Sequence, residues 1–204
     1  EEEVNNRIKN ANIIITNKTK LSKEVLEKSK YLELIAITAT GTNIIDLDYC
    51  KKNKINVCNL RDYASVSVAE HVFALILSLI KQIKGLERDI QTDLWQKKKV
   101  FTLLNRKISN LNNRKIGIIG RGSIGKQVKK LSKAFNMNVK FFSVRNYKKV
   151  EFKKFLSDCD ILTIHCPLGK NTVNLITLNE LKMMKKSSII INTARGGIVN
   201  EKDL

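Results

Sequence analysis

Short apolar runs rich in β-branched residues alternate with segments of helical period along this chain, and that alternation predicts a parallel α/β architecture. Residues 12–16, 34–38, 56–59, 115–119, 139–142, 161–164 and 188–192 read as strands. Most of these runs are continuously apolar, as expected of strands covered on both faces. Ala69, Val72, Phe73, Ile76, Leu77 and Ile80 recur at helical spacing and predict a long amphipathic helix, suited by length and apolarity to packing between two domains. Ser67-Val68-Ala69-Glu70 offers it a capping box, with Glu70 supporting the helix start. A second capping box, Thr177-Leu178-Asn179-Glu180, precedes a helix bearing Leu181 and Met184. From residue 84 to 113 the pattern weakens around Trp95 and a Lys97-Lys98-Lys99 run, and the stretch reads as an irregular connection. The expected organisation is one α/β unit over residues 1–66 and a second over 67–204, without a solenoid repeat.

Composition narrows the class. With 204 residues and 43% hydrophobic content, the chain can bury a core as one or two globular domains. The longest apolar stretch, from Val72 to Ile80, is far short of the roughly 20 residues that span a bilayer, so no membrane partner is expected. The opening Glu1-Glu2-Glu3 is no signal peptide; it is helix-like and lacks a starting Met, so further residues are expected before it. Cys50, Cys58, Cys159 and Cys166 form no CxxC pair, which argues against zinc and fits small buried hydrophobes in a reducing cytoplasm. The formal net charge is +19, but the lysines are spread along the whole chain and not interleaved with aromatics. They read as a solvated surface rather than a nucleic-acid site, although the field would draw in an anionic cofactor or acid substrate.

The sharpest motif is Gly120-Arg121-Gly122-Ser123-Ile124-Gly125, a GxGxxG turn that follows a strand run and opens a helical pattern carrying Ile124, Val128, Leu131 and Phe135. That is the context of a dinucleotide-binding fingerprint. Gly120 permits the tight turn, Gly122 lets a diphosphate approach the backbone, and Gly125 allows the helix to pack close to the sheet. Amides at the helix N-terminus, with its partial positive charge, would hold the phosphates. After the next strand the chain carries Ser143-Val144-Arg145 where an NAD site usually places a carboxylate for the ribose hydroxyls. Either Arg145 pairs with the 2′-phosphate of NADP(H), the reading slightly favoured here, or it is a solvated loop residue and NAD is used without an acidic clamp.

Taken together, Ala39-Thr40-Gly41-Thr42-Asn43, Ser67-Val68-Ala69-Glu70-His71, the glycine turn, His165-Cys166-Pro167-Leu168 and the run from Asn192 through Arg195 to Asn200 resemble the D-isomer-specific 2-hydroxyacid dehydrogenases, in order and spacing, from about residue 12 to the end. The glycerate/hydroxypyruvate dehydrogenase branch is the nearest in flavour. The resemblance implies a Rossmann-type doubly wound parallel sheet plus a smaller flavodoxin-like α/β substrate domain, both incomplete. It implies a homodimer joined through the dinucleotide domains, and NAD or NADP as cofactor. It makes Arg195 the catalytic arginine, whose permanently charged, planar guanidinium can grip a substrate carboxylate and polarise the neighbouring carbonyl. Thr40 and Gly41 match the loop whose amides hold that carboxylate. Ser123 and Ile124 match phosphate contacts, Cys166, Pro167 and Thr172 a segment along the cofactor, and Thr193 and Ala194 positions beside the nicotinamide.

The same resemblance places a proton-donating histidine and its orienting carboxylate downstream of the arginine, beyond Leu204. His71, inside the apolar helix, reads as structural, and His165, at a strand end, as lining the cofactor side. The expected function is hydride transfer between NAD(P)H and a 2-keto acid or D-2-hydroxy acid, such as hydroxypyruvate or glyoxylate. The alternative is a catalytically inactive NAD(P)-binding sensor or interaction protein of the same fold. The 204 residues by themselves are expected to bind cofactor poorly and to turn over slowly if at all.

Overall fold

The computed structural model describes residues 2–146 and 148–204; Glu1, first residue of the helix-like opening, lies outside them. The chain divides into two compact units, Glu1–Tyr63 and Ala64–Leu204. The first contains α1 (Glu2–Ile8), β1 (Ile13–Thr16), α2 (Lys23–Leu26), β2 (Leu34–Ile37), α3 (Leu47–Lys52) and β3 (Asn56–Asn59). Its strands form a parallel sheet in the order β1-β2-β3. Leu21, Leu26, Ile35, Ile37 and Cys50 fill its core. α3 starts where the Asp46 carboxylate accepts a hydrogen bond from the Tyr49 amide at 2.9 Å, a cap that satisfies one of the helix's orphan donors.

The second unit begins with three helices, α4 (Ser65–Ile80), α5 (Ile83–Gln91) and α6 (Leu94–Lys98). An alternating core follows: β4 (Lys115–Ile119), α7 (Ser123–Ala134), β5 (Asn138–Phe142), α8 (Lys149–Asp158), β6 (Ile161–Ile164), α9 (Leu178–Met183) and β7 (Ile189–Asn192). All strand pairs are parallel and the order is β5-β4-β6-β7, so the chain steps from β4 to one side, then crosses back over to the other. Side chains alternate across this sheet with the period of two that the pleat imposes. Ile116, Ile118, Ile161 and Ile191 face α4 and α7, whereas Ile119, Leu162 and Ile164 face the cluster built by Phe152, Phe155 and Leu156 of α8. Helices therefore cover both faces, as the continuous apolar strands predict. Gly117 belongs to this packing: a Cβ there would overlap the Cys159 Sγ and the Phe155 ring, so only glycine lets α8 approach β4 so closely.

The architecture is α/β with parallel sheets throughout, as expected, with strand ends shifted by a residue at several positions. Three local expectations need correction. The long helix begins at Ser65, after Ala64, whose own side chain makes no cap. Ser67 lies inside its first turn and donates back to the Ala64 carbonyl at 3.3 Å, so Ser67 and Glu70 form no capping box. Residues 84–113 are not simply irregular, because α5 and α6 occupy part of them. The Asp89 carboxylate there, at 5% exposure, receives a two-pronged bond from the Arg106 guanidinium at 2.8 and 2.7 Å and a third from Asn105 at 3.1 Å. This tertiary latch, which no periodicity announces, holds the Asp89 carboxyl down at about 2. Finally, Phe135 caps α7 rather than continuing it, stacking on Phe73 at 5.3 Å. The capping box at Thr177 and Glu180 forms as expected.

No single helix among the described residues is long and apolar enough to cross a membrane. α4 and α5 together reach that length, but they meet at a 57° bend and one face of α4 is buried in the core.

Candidate functional site

The register of the second sheet brings the separate motifs to one edge. Phe142, Ile119, Ile164 and Asn192 form one rung across β5, β4, β6 and β7. The residues that follow them, Ser143, Gly120, His165 and Thr193, therefore stand side by side beyond the C-terminal ends of the strands. At strand spacing, the row from Ser143 to Thr193 spans roughly 14 Å. The outward and returning crossovers diverge at β4, and such a switch point is where open α/β sheets take ligands.

At the centre of the row, Gly120 adopts φ 108°, and a Cβ on it would lie 2.5 Å from the His165 carbonyl oxygen. Its amide donates to Phe142 O at 3.1 Å, while the His165 amide donates to Ile119 O at 2.8 Å, pinning the turn between both neighbours. A Cβ on Gly125 would overlap the Gly120 carbonyl, so the first turn of α7 sits directly on the bend. Gly122, by contrast, faces open space, with nothing within 4 Å of where its Cβ would be. Among the described residues, the amides of Arg121, Gly122, Ser123 and Ile124 donate to no protein acceptor, as expected at a helix start. Ser123 is the first residue of α7, and Ile124 turns inward onto the core. Unclaimed amides, a helix N-terminus and vacant space over Gly122 fit a dinucleotide diphosphate.

At the β5 end, Ser143 is half-buried and Arg145 is exposed in a single 3-10 turn, Val144–Asn146. No described ion pair involves Arg145.

At the β6–β7 end, Asn192 organises the loop. Its side chain accepts from the Ala194 amide at 3.1 Å and donates to the Arg195 carbonyl at 2.9 Å. Arg195 itself is exposed, with one guanidinium nitrogen donating to the Ala194 carbonyl at 2.7 Å. His165 bridges the strand ends: Nε2 meets Thr163 Oγ1 at 2.9 Å and Nδ1 meets Thr193 Oγ1 at 3.4 Å. Burial lowers its imidazole to about 4, so the ring is neutral at physiological pH and links the two hydroxyls. Cys166 is buried in the core, and desolvation raises its thiol above the ordinary range. Pro167 is exposed. Thr172 is buried, its hydroxyl donating to the Pro167 carbonyl at 2.7 Å and accepting from the Gly169 amide at 2.8 Å, so it shapes the loop from within. His71 stands exposed on α4, not enclosed as expected of a structural histidine.

In the first unit, Thr40 and Gly41 follow β2 at the same, C-terminal, kind of edge. Asn59 donates to the Thr40 carbonyl at 2.8 Å, and Asn17 donates to the Thr38 carbonyl at 3.0 Å and its hydroxyl at 3.1 Å. The Ala39 carbonyl accepts from the Leu60 amide at 3.2 Å. The carbonyls of Thr38, Ala39 and Thr40 are thus occupied, while among the described residues the amides of Thr40, Gly41 and Thr42 donate to no protein acceptor. That arrangement can receive a carboxylate.

Sequence reasoning missed Asn192, Asn17 and Asn59 as braces. Asn192 could have been found, because Asn at the end of a buried strand commonly folds back on the backbone two residues on. Asn17 and Asn59 carry no local signal, since their partners lie about twenty residues away.

The family model described as D-isomer specific 2-hydroxyacid dehydrogenase, NAD binding domain, matches residues 73–204. A glycerate dehydrogenase of Methylorubrum extorquens is 37% identical over 204 residues, covering all of this chain and 65% of the relative. A hydroxypyruvate reductase of Blautia hydrogenotrophica is 30% identical, again over the whole chain and 66% of the relative. The chain thus spans just under two thirds of the length of these relatives. Among solved structures, D-lactate dehydrogenase from Aquifex aeolicus complexed with NAD and lactic acid superposes with TM-score 0.85 at 33% identity, covering 98% of this chain and 61% of that one. An acyclic imino acid reductase in complex with NADPH also gives TM-score 0.85 at 30% identity, covering 99% and 66%.

Proposed function

The chain belongs to the D-isomer specific 2-hydroxyacid dehydrogenase family, and from that premise we propose that its protein interconverts a 2-keto acid and the corresponding D-2-hydroxy acid with NAD(P)H. The observation that carries this is the shared rung: a glycine turn with unclaimed amides and an exposed arginine loop leave the same sheet edge two strands apart. When bound, the nicotinamide cofactor supplies the hydride. The unclaimed amides at Gly122, Ser123 and Ile124 hold its diphosphate, with Thr193 and Ala194 at the far end of the row. Arg195 binds the substrate carboxylate and draws charge onto the carbonyl oxygen, where a guanidinium is worth most as negative charge develops. In the first unit, Thr40 and Gly41 offer unclaimed amides that suit a substrate carboxylate. Neither histidine suits the role of proton donor: burial holds His165 neutral between two threonines, and His71 stands exposed on α4, not at a strand end.

Hydroxypyruvate and glyoxylate are the substrates to try first, since relatives named for glycerate and hydroxypyruvate are among the matches. NADP(H) is favoured over NAD(H), because Ser143 offers no carboxylate to repel a 2′-phosphate and Arg145 is exposed beside it. Two copies assemble through the segment around α5 and α6, where Trp95, Val100, Phe101 (96% exposed), Leu104 (90% exposed) and Ile108 leave apolar surface in water. The test is steady-state reduction of a keto-acid panel by the full-length protein with each cofactor. Turnover that falls by roughly a hundred- to a thousandfold in Arg195→Gln, with melting unchanged, is the expected result. Tight cofactor binding without turnover of any keto acid would instead favour a sensor. Light scattering of Phe101→Asp, expected to be monomeric, tests the assembly.

A further inference from the structure

Arg121 is the one residue of the glycine turn that backbone geometry leaves unexplained. It follows Gly120, which neighbours Ser143 in the row, and its guanidinium lies over β5, with Cζ 5.6 Å from the centre of the Phe141 ring. Lys129, from the second turn of α7, places its Nζ 5.9 Å from the same ring. Two like charges thus share one aromatic platform, although they repel each other and both are exposed. Among the described residues no carboxylate pairs with Arg121, Lys129 or Arg145. A charge concentration of this kind, held by an aromatic face instead of by acids, is relieved by an anion.

The place of this cluster decides which anion. The diphosphate position over Gly122 is served by main-chain amides, and the Arg195 end lies two strands away from β4 on the opposite side from β5. What remains near Phe141 is the outer, β5 end of the row, where Ser143 and Arg145 stand. We propose that Arg121, seated on Phe141, is a specificity-determining residue for a 2′-phosphorylated dinucleotide, gripping the adenosine 2′-phosphate together with Arg145. This rests on the dinucleotide-binding reading above and extends it by a residue that lies in the fingerprint yet outside its glycines. A guanidinium on a ring is pre-oriented, so it can present two parallel N–H groups to a phosphate with little further loss of freedom.

The experiment is fluorescence titration of the full-length protein with NADPH and with NADH, in the wild type, Arg121→Ala and Phe141→Leu. Arg121→Ala is expected to weaken NADPH binding by roughly ten- to a hundredfold and to leave NADH binding within about twofold, which also shows that the turn still folds. Phe141→Leu, which keeps the charge but removes its seat, is expected to weaken NADPH selectively by a smaller factor. The NADPH loss in Arg121→Ala should shrink with added salt. An equal loss for both cofactors would assign Arg121 to the shared diphosphate and overturn the proposal, as would no loss for either. A wild type that prefers NADH also overturns it while leaving the dehydrogenase reading intact. A wild type that binds neither cofactor defeats the dinucleotide reading itself.

Discussion

The two parallel sheets finish their C-terminal edges by different means. In the four-stranded sheet the turn after β4 is set by the main chain: Gly120 at φ 108°, Gly125 pressed against the Gly120 carbonyl, and α7 starting at once. In the three-stranded sheet no helix follows β2 directly, and the side chains of Asn17 and Asn59 reach in from the neighbouring strand ends to fix the turn. Strand coverage differs in the same sense. β6 is buried along its whole length, whereas β1 leaves Ile13 and Ile15 largely exposed, the latter at 73%. A sheet covered on both faces positions its turn by packing, so it cannot tolerate added atoms. A sheet covered unevenly depends on particular hydrogen bonds, so it cannot tolerate their removal.

That contrast can be broken from either side. The largest effect is expected from Gly120→Val, which forces a β-branched residue into a positive φ and against the His165 carbonyl. A loss of about 3 kcal/mol or more and a Tm lower by about 10 °C should appear in thermal melts, with cofactor binding gone. Gly122→Ala adds one carbon to the same turn where nothing lies within 4 Å, so the melting curve should stay put. Cofactor affinity should nevertheless fall about tenfold as the methyl meets the diphosphate; an unchanged affinity would show that the space over Gly122 is not the phosphate site. Asn59→Ala removes a brace from the other turn. The KM for the keto acid should rise about five- to tenfold with the cofactor KM unchanged, and a change in both would mean that the turns are not functionally separate.

The smallest effect is a pH dependence confined to the second unit. His165 ionises at about 4 in the fold, below the ordinary 6.5, because burial penalises its charged form. The unfolded chain therefore takes up a proton first as pH falls. Stability should be full above 6.5 and decline through the window down to 4, by at most about 1.4 kcal/mol between pH 6.5 and 5.5. In His165→Gln, denaturant melts across that window should lose this component of the slope. An unchanged slope would mean that His165 is not held neutral between Thr163 and Thr193.

Much of the candidate site is legible in the sequence, because its parts are short and local. A glycine turn between a strand and a helix declares itself in six residues, and the Arg195 loop follows a strand whose apolar run is plain. The long helix was found, but its start was misplaced, because Ser67 and Glu70 have capping spacing while the backbone had already turned helical at Ser65. The helices α5 and α6 were missed because their stability leans on tertiary contacts such as the Asp89–Arg106 pair, formed across seventeen residues.

The amino-acid order alone determined the strand runs, the fingerprint and the identity of the charged groups, since these depend on near neighbours and the period of the backbone. Tertiary structure decided what those groups face. The register of β5, β4, β6 and β7 aligned Ser143, Gly120, His165 and Thr193 in one row, burial made His165 a neutral bridge, and the Phe141 ring received Arg121. Each of these joins residues distant along the chain, and no local propensity encodes a contact whose partner arrives only when the sheet assembles.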